Sequence, residues 1–84
     1  MLQISYFAWV RERMGVAEEV IALPAGAATV GDLIAWLAAR DERGARAFAE
    51  PQRIRAALGG AMVGAGASIG DAREIALFPP VTGG

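Results

Sequence analysis

The chain has no cysteine, no histidine and no lysine; all eight of its basic residues are arginine. These absences exclude a disulfide framework, a thiolate nucleophile, an imidazole base and a zinc site built from the usual ligands. An excess of charge is lacking too. Nine acidic residues against eight arginines scattered from Arg11 to Arg73 leave a net charge of −1, which provides no footprint for a phosphate backbone and argues against nucleic acid as a partner. Long hydrophobic runs are absent as well. The longest uncharged stretch, Ala56 to Gly70, is 15 residues with five glycines in it, short of the ~20 apolar residues that span a bilayer. The N-terminus has no basic start followed by an apolar block, so neither a membrane contact nor a signal peptide is expected, and the cytoplasm is the expected compartment. Large side chains are scarce, because 19 of the 46 apolar residues are alanine. At 84 residues this predicts one domain with a small core, a single-layer fold leaning on a partner rather than a large-cavity enzyme.

The pattern of what is present is orderly. Met1 to Ala8 alternates, with Leu2, Ile4 and Tyr6 on one parity and Gln3, Ser5 and Phe7 on the other, which predicts an amphipathic strand. Phe7 is the odd member, an aromatic on the polar face that is either covered by another element or exposed for contact. Trp9 to Met14 fits about one helical turn, with Gly15 as its left-handed stop. Glu18 to Leu23 reads as a second strand ended by Pro24 and paired with the first as an antiparallel hairpin. Thr29 and Asp32 have the spacing of a capping box. Behind them Val30, Leu33, Ile34 and Leu37 form one apolar stripe at i, i+3, i+4 and i+7, with Trp36 on its shoulder as packing. Asp41 to Pro51 is expected to end that helix and to hold a short irregular or helical segment around Ala45 to Ala49. Arg53 to Leu58 reads as an edge strand turned by Gly59-Gly60 into Ala61-Met62-Val63. Gly64 to Ala67 is a loop, and Glu74 to Phe78 is a last alternating strand. Two strands, a helix and two or three strands are the order of an α+β β-grasp fold, a mixed four- to five-stranded sheet with one main helix packed across it.

Little of this carries chemistry. Glu18 and Glu19 are adjacent on a strand, so they point to opposite faces and cannot form an acid/base pair. Glu12, Asp41, Glu42 and Glu50 read as solvated surface. Gly64-Ala65-Gly66 is followed by no lysine and opens no helix, which leaves it short of a phosphate loop. The C-terminus is different: Phe78-Pro79-Pro80-Val81-Thr82-Gly83-Gly84. Proline has no N–H and fixes its φ, so Pro79-Pro80 stops sheet pairing and directs the chain outward. Val81 to Gly84 then reaches ~13–14 Å if extended. Two residues without side chains let a narrow channel close on bare backbone and leave the terminal carboxylate of Gly84 unhindered. Residues 1–80 are thus expected to be the domain and 81–84 a flexible tail.

These residues resemble the small subunit of molybdopterin synthase, a ubiquitin-like sulfur carrier. The resemblance covers the whole chain and rests on Phe7-Ala8-Trp9-Val10-Arg11-Glu12, Gly15, Thr29-Val30-Gly31-Asp32-Leu33 and, most specifically, Phe78 to Gly84. The resemblance implies a partner adenylating, E1-like enzyme that uses ATP to convert the carboxylate of Gly84 to an acyl adenylate, from which sulfur displaces AMP. It implies a second partner, the large synthase subunit, which receives the tail and converts cyclic pyranopterin monophosphate to molybdopterin. No permanently bound cofactor and no metal are expected, and acid/base residues are expected on the large subunit. Phe7, Met62 and Phe78 match the family's partner contacts. Two other readings remain: the sulfur carrier of thiamine synthesis, whose tail typically lacks the Pro-Pro pair, and a ubiquitin-like protein modifier joined through Gly84 to lysines of its targets.

Overall fold

In the computed structural model, which describes residues 1–80, one five-stranded sheet is built in the order β2-β1-β5-β3-β4. The elements follow the chain as β1 (Leu2–Tyr6), α1 (Ala8–Met14), β2 (Glu18–Ile21), α2 (Val30–Arg40), α3 (Glu42–Ala47), a 3₁₀ turn (Pro51–Arg53), β3 (Arg55–Leu58), β4 (Ala61–Val63) and β5 (Glu74–Phe78). β1 and β5 run parallel, side by side at the centre, and every other pairing is antiparallel. The sheet is therefore mixed, and the α+β β-grasp expectation holds.

The local signals translate directly. Leu2, Ile4 and Tyr6 are buried while Gln3 and Ser5 are half-exposed. Gly15 ends α1 at φ 77° and donates its N–H to the Arg11 carbonyl at 2.9 Å, the left-handed cap a glycine adopts without a Cβ penalty. That helix has seven residues, Ala8 to Met14, longer than the single turn expected, because Val10 and Met14 both reach the core. The capping box of α2 is complete: Thr29 Oγ1 accepts from the Asp32 N–H at 3.1 Å, and Asp32 Oδ2 accepts from the N–H groups of Thr29 and Ala28, each at 3.0 Å. These backbone donors hold the Asp32 carboxyl below its ordinary range. The Gly64–Ala67 loop serves the same helix end. Its Ala65 and Ala67 carbonyls accept from the N–H groups of Gly31 (2.8 Å) and Val30 (3.0 Å), so it satisfies helix donors and cradles nothing.

Val30, Leu33, Ile34 and Leu37 are all buried, in one cluster with Leu2, Ile4, Tyr6, Ile21, Ile75 and Leu77. Trp36 packs at the edge of that cluster, as expected. Two expectations need correction. Arg53 to Leu58 is not an edge strand: β3 starts at Arg55 and lies between β5 and β4, and β4 forms the edge. The Gly59-Gly60 turn, with φ of 55° and 87°, folds β4 back outside β3 rather than inside it. The segment 41–53 is also more ordered than its composition suggests. Asp41 caps α3 by accepting from the Gly44 N–H at 2.8 Å. Gly44 packs against α2 so closely that a Cβ there would collide with the Leu37 carbonyl oxygen. Phe48, at the end of α3, is then driven into the core, where its ring meets Tyr6 at 6.5 Å between centroids.

Candidate functional site

One sheet face carries the helices; the other is bare, and most of the sequence-selected residues lie on it or at its end. Across its middle, the strand registers align Ser5 with Ala76, Ala76 with Ala57, and Ala57 with Met62. Ser5, Ala76 and Ala57 floor a shallow trough of about 190 Å³ that Phe7, Glu74 and Gly59-Gly60 help to rim. Phe7 is 50% exposed and Met62 64%. Phe78 is half-buried, two residues along β5 from Ala76 and directly opposite Arg55. Thus all three proposed contact residues share the uncovered side, with Phe78 set deeper than the other two.

Phe7 is turned outward by the backbone. Its N–H donates to the Leu77 carbonyl at 3.2 Å, which ties the end of β1 to β5. The next residue, Ala8, has φ 53°, a left-handed conformation that costs a side-chain-bearing residue ~1–2 kcal/mol. That bend converts strand into helix within one residue and leaves the Phe7 ring in solvent.

β5 is the central strand, hydrogen-bonded on both sides, and it ends at Phe78. Pro79 and Pro80 follow, both half-buried and outside any strand, consistent with proline ending the ladder. Val81, Thr82, Gly83 and Gly84 lie outside the described residues. Sheet pairing thus holds the chain as far as Phe78.

Two features had no sequence signal. Glu19 faces the helices while Glu18 faces the bare side, where it accepts from Gln3 Nε2 at 3.1 Å; the predicted opposition of the two carboxylates is correct. Glu19 accepts a 2.7 Å hydrogen bond from the Tyr6 hydroxyl and a bidentate pair from Arg40 at 2.7 and 2.9 Å. Arg40 holds the Glu19 carboxyl below its usual range, and burial with the adjoining carboxylate pushes the Tyr6 phenol up. Asp41 joins the same arginine at 3.3 Å, so it is a structural cap rather than plain solvated surface. The second feature is Trp9, with the Arg13 guanidinium 4.3 Å and that of Arg53 5.8 Å from its ring centroid. Glu19 and Arg40, 21 positions apart, and Trp9 and Arg53, 44 apart, meet only through packing, whereas Trp9 and Arg13 are neighbours one turn apart on α1.

A cleft of about 510 Å³ beside α1, lined by Ala8, Arg11, Glu12, Gly15, Val16 and Ala17, brings together no nucleophile and no acid/base pair. Among the described residues no group of acidic side chains is placed to hold a metal ion, and no helix is long and apolar enough to cross a membrane. Among the described residues, the feature that stands out is the end of β5 beside the uncovered sheet face.

Comparison with known proteins agrees with this geometry. A model of the ThiS family matches residues 4–84. The molybdopterin synthase sulfur carrier subunit of Escherichia coli (strain K12) is 37% identical over 84 residues, the full length of both chains. Among solved structures, molybdopterin converting factor subunit 1 of Pyrococcus furiosus superposes with a TM-score of 0.73 at 31% identity, covering 95% of this chain and 97% of that one. SAMP1 of Haloferax volcanii gives 0.70 at 26% identity, covering 99% and 98%.

Proposed function

The chain belongs to the ThiS family, and from that premise we propose that it is the sulfur-carrying small subunit of a molybdopterin synthase, working through the carboxylate of Gly84. The observation that supports this most is the placement of Pro79-Pro80: a central, doubly hydrogen-bonded strand leads to them beside the uncovered sheet face that exposes Phe7 and Met62. A carboxylate is a poor acyl donor because oxide is a poor leaving group. A partner adenylating enzyme solves this by letting the Gly84 carboxylate oxygen attack the α-phosphorus of ATP, with release of pyrophosphate. A sulfur nucleophile then displaces AMP, leaving a terminal thiocarboxylate. Pro79, Pro80, Val81, Thr82 and Gly83 form the reach into the large subunit, where cyclic pyranopterin monophosphate takes up the sulfur. Two carriers are consumed per dithiolene. Phe7, Met62 and Phe78 make the partner contact, and this chain supplies no acid or base.

Intact mass of the carrier purified from its own cells should include a species with one oxygen replaced by sulfur. Deleting Gly84 places the new terminus ~3.5 Å short of the activating nucleotide and should abolish that species without changing thermal stability. Normal molybdopterin formation by the truncated carrier would refute the reading. The resemblance to SAMP1 favours one second reading, protein modification. Lasting higher-mass conjugates in lysates that depend on the carrier would select it.

A further inference from the structure

The exit of β5 is flanked on one side by the uncovered sheet face that exposes Phe7 and Met62 and on another by arginines. Arg13, on α1, stacks on Trp9 and donates to the Arg46 carbonyl at 3.4 Å. Arg53, in the 3₁₀ turn, lies over the same ring. Arg55 is the cross-strand neighbour of Phe78, and its guanidinium donates to the Gln52 carbonyl at 3.1 Å and, more weakly, to that of Ile54 at 3.5 Å. All three side chains are exposed. Against these three charges stands a single carboxylate, Glu50, at 3.3 Å from Arg53; Arg13 and Arg55 have no carboxylate within ion-pair distance among the described residues. In a chain of net charge −1 this is a local excess of opposite sign, and it sits where the chain leaves the sheet.

Stacking on Trp9 and hydrogen bonds to carbonyls hold these guanidinium groups in place, and those of Arg13 and Arg55 spend none of their charge on a carboxylate. Ordering a free arginine at an interface costs ~0.5–1.5 kcal/mol, and here much of that ordering precedes the encounter. A cationic rim beside an apolar centre is the layout of a protein interface in which the rim sets orientation and association rate. We propose that Arg13 and Arg53, stacked on Trp9, and Arg55, opposite Phe78, form an electrostatic docking rim for a carboxylate-rich surface at the mouth of the large-subunit channel that takes the C-terminal segment. The inference rests on the sulfur-carrier reading. It adds to it a charge-complementary surface separate from Phe7, Met62 and Phe78.

The test measures binding of the full-length carrier to its large subunit at low and high sodium chloride, for the wild type, for the double variant Arg13→Gln/Arg53→Gln, and for Arg55→Gln, which leaves the Trp9 stack untouched. Wild-type affinity should fall with salt. Each variant should lose roughly tenfold at low salt, chiefly in association rate, and should lose most of the salt dependence, while Arg73→Gln, at the residue that precedes β5 at the opposite end of the strand from its exit, behaves as wild type. Should the double variant unfold, Arg55→Gln alone decides. Wild-type binding that is indifferent to salt and to these substitutions overturns the rim while leaving the carrier reading intact; absence of any wild-type binding overturns both. Equal, salt-sensitive binding to a random single-stranded oligonucleotide, lost in the same variants, overturns the assignment of the rim to a protein.

Discussion

The two faces of the sheet are built from alternate residues of the same strands and have opposite characters. On the helix-covered face, Leu2, Ile4, Tyr6, Ile75 and Leu77 lie almost out of reach of solvent. On the bare face, the same strands present Gln3, Ser5, Glu74, Ala76 and Ala57, with Phe7 and Met62 exposed at the margins. The inner face maximises apolar burial and sets stability. The outer face keeps a few large apolar groups in water, which stabilises nothing in the free chain and marks a surface reserved for contact. A period of two along each strand is enough to keep the two tasks apart.

The sharpest test of that division is on the inner face. Leu37→Ala empties a fully buried site and should cost ~2–5 kcal/mol in chemical denaturation; a loss near zero would mean that the helix does not pack on the sheet as described. Gly44→Ala adds one methyl group where the Leu37 carbonyl leaves no room. It should cost ~1–3 kcal/mol as overpacking, although alanine would otherwise favour a helix, and a stabilised variant would refute the close α2–α3 approach.

Next in size is the polar seam at the edge of the inner face. Tyr6→Phe removes the hydroxyl donor to Glu19 while Arg40 still pairs with the carboxylate, for an expected ~0.5–1.5 kcal/mol. Because Arg40 lowers the Glu19 pKa in the folded state, the pair's contribution is fully present above the ordinary glutamate pKa and disappears as pH falls through the depressed folded value. The stability difference between wild type and Glu19→Gln should therefore be constant near neutrality and shrink on acidification below ~4.3. A difference that grows in acid would contradict the sign. The smallest effect on stability belongs to the outer face: Phe7→Asp should change unfolding free energy by no more than ~0.5 kcal/mol yet weaken binding to the large subunit. Loss of stability comparable to that of Leu37→Ala would mean that Phe7 is core.

How much of this was legible beforehand follows the range of the interaction that decides each feature. Gly15 as a helix stop, the Thr29–Asp32 capping box, the Gly59-Gly60 hairpin and the Val30 to Leu37 stripe depend on dihedral preference and hydrogen bonds within a few residues, so residue type and spacing specify them. Phe48 had no such mark. It is a single large apolar residue in an alanine- and arginine-rich stretch, and it enters the core only because Gly44 lets α3 lie against α2.

Short-range periodicity and backbone chemistry alone specify β1, β2, α2, β4 and β5, the buried parity of β1 and β5, and the Pro-Pro and Gly-Gly ending. Packing of the whole chain decided that β3 lies inside β4, that Glu19 meets Arg40, and that Arg53 reaches Trp9 while Arg55 stands at the end of β5. The Glu19–Arg40 and Trp9–Arg53 contacts close the chain across 21 and 44 positions. Such contacts are selected by the joint packing of the sheet and helices, and no local pattern of residues encodes them.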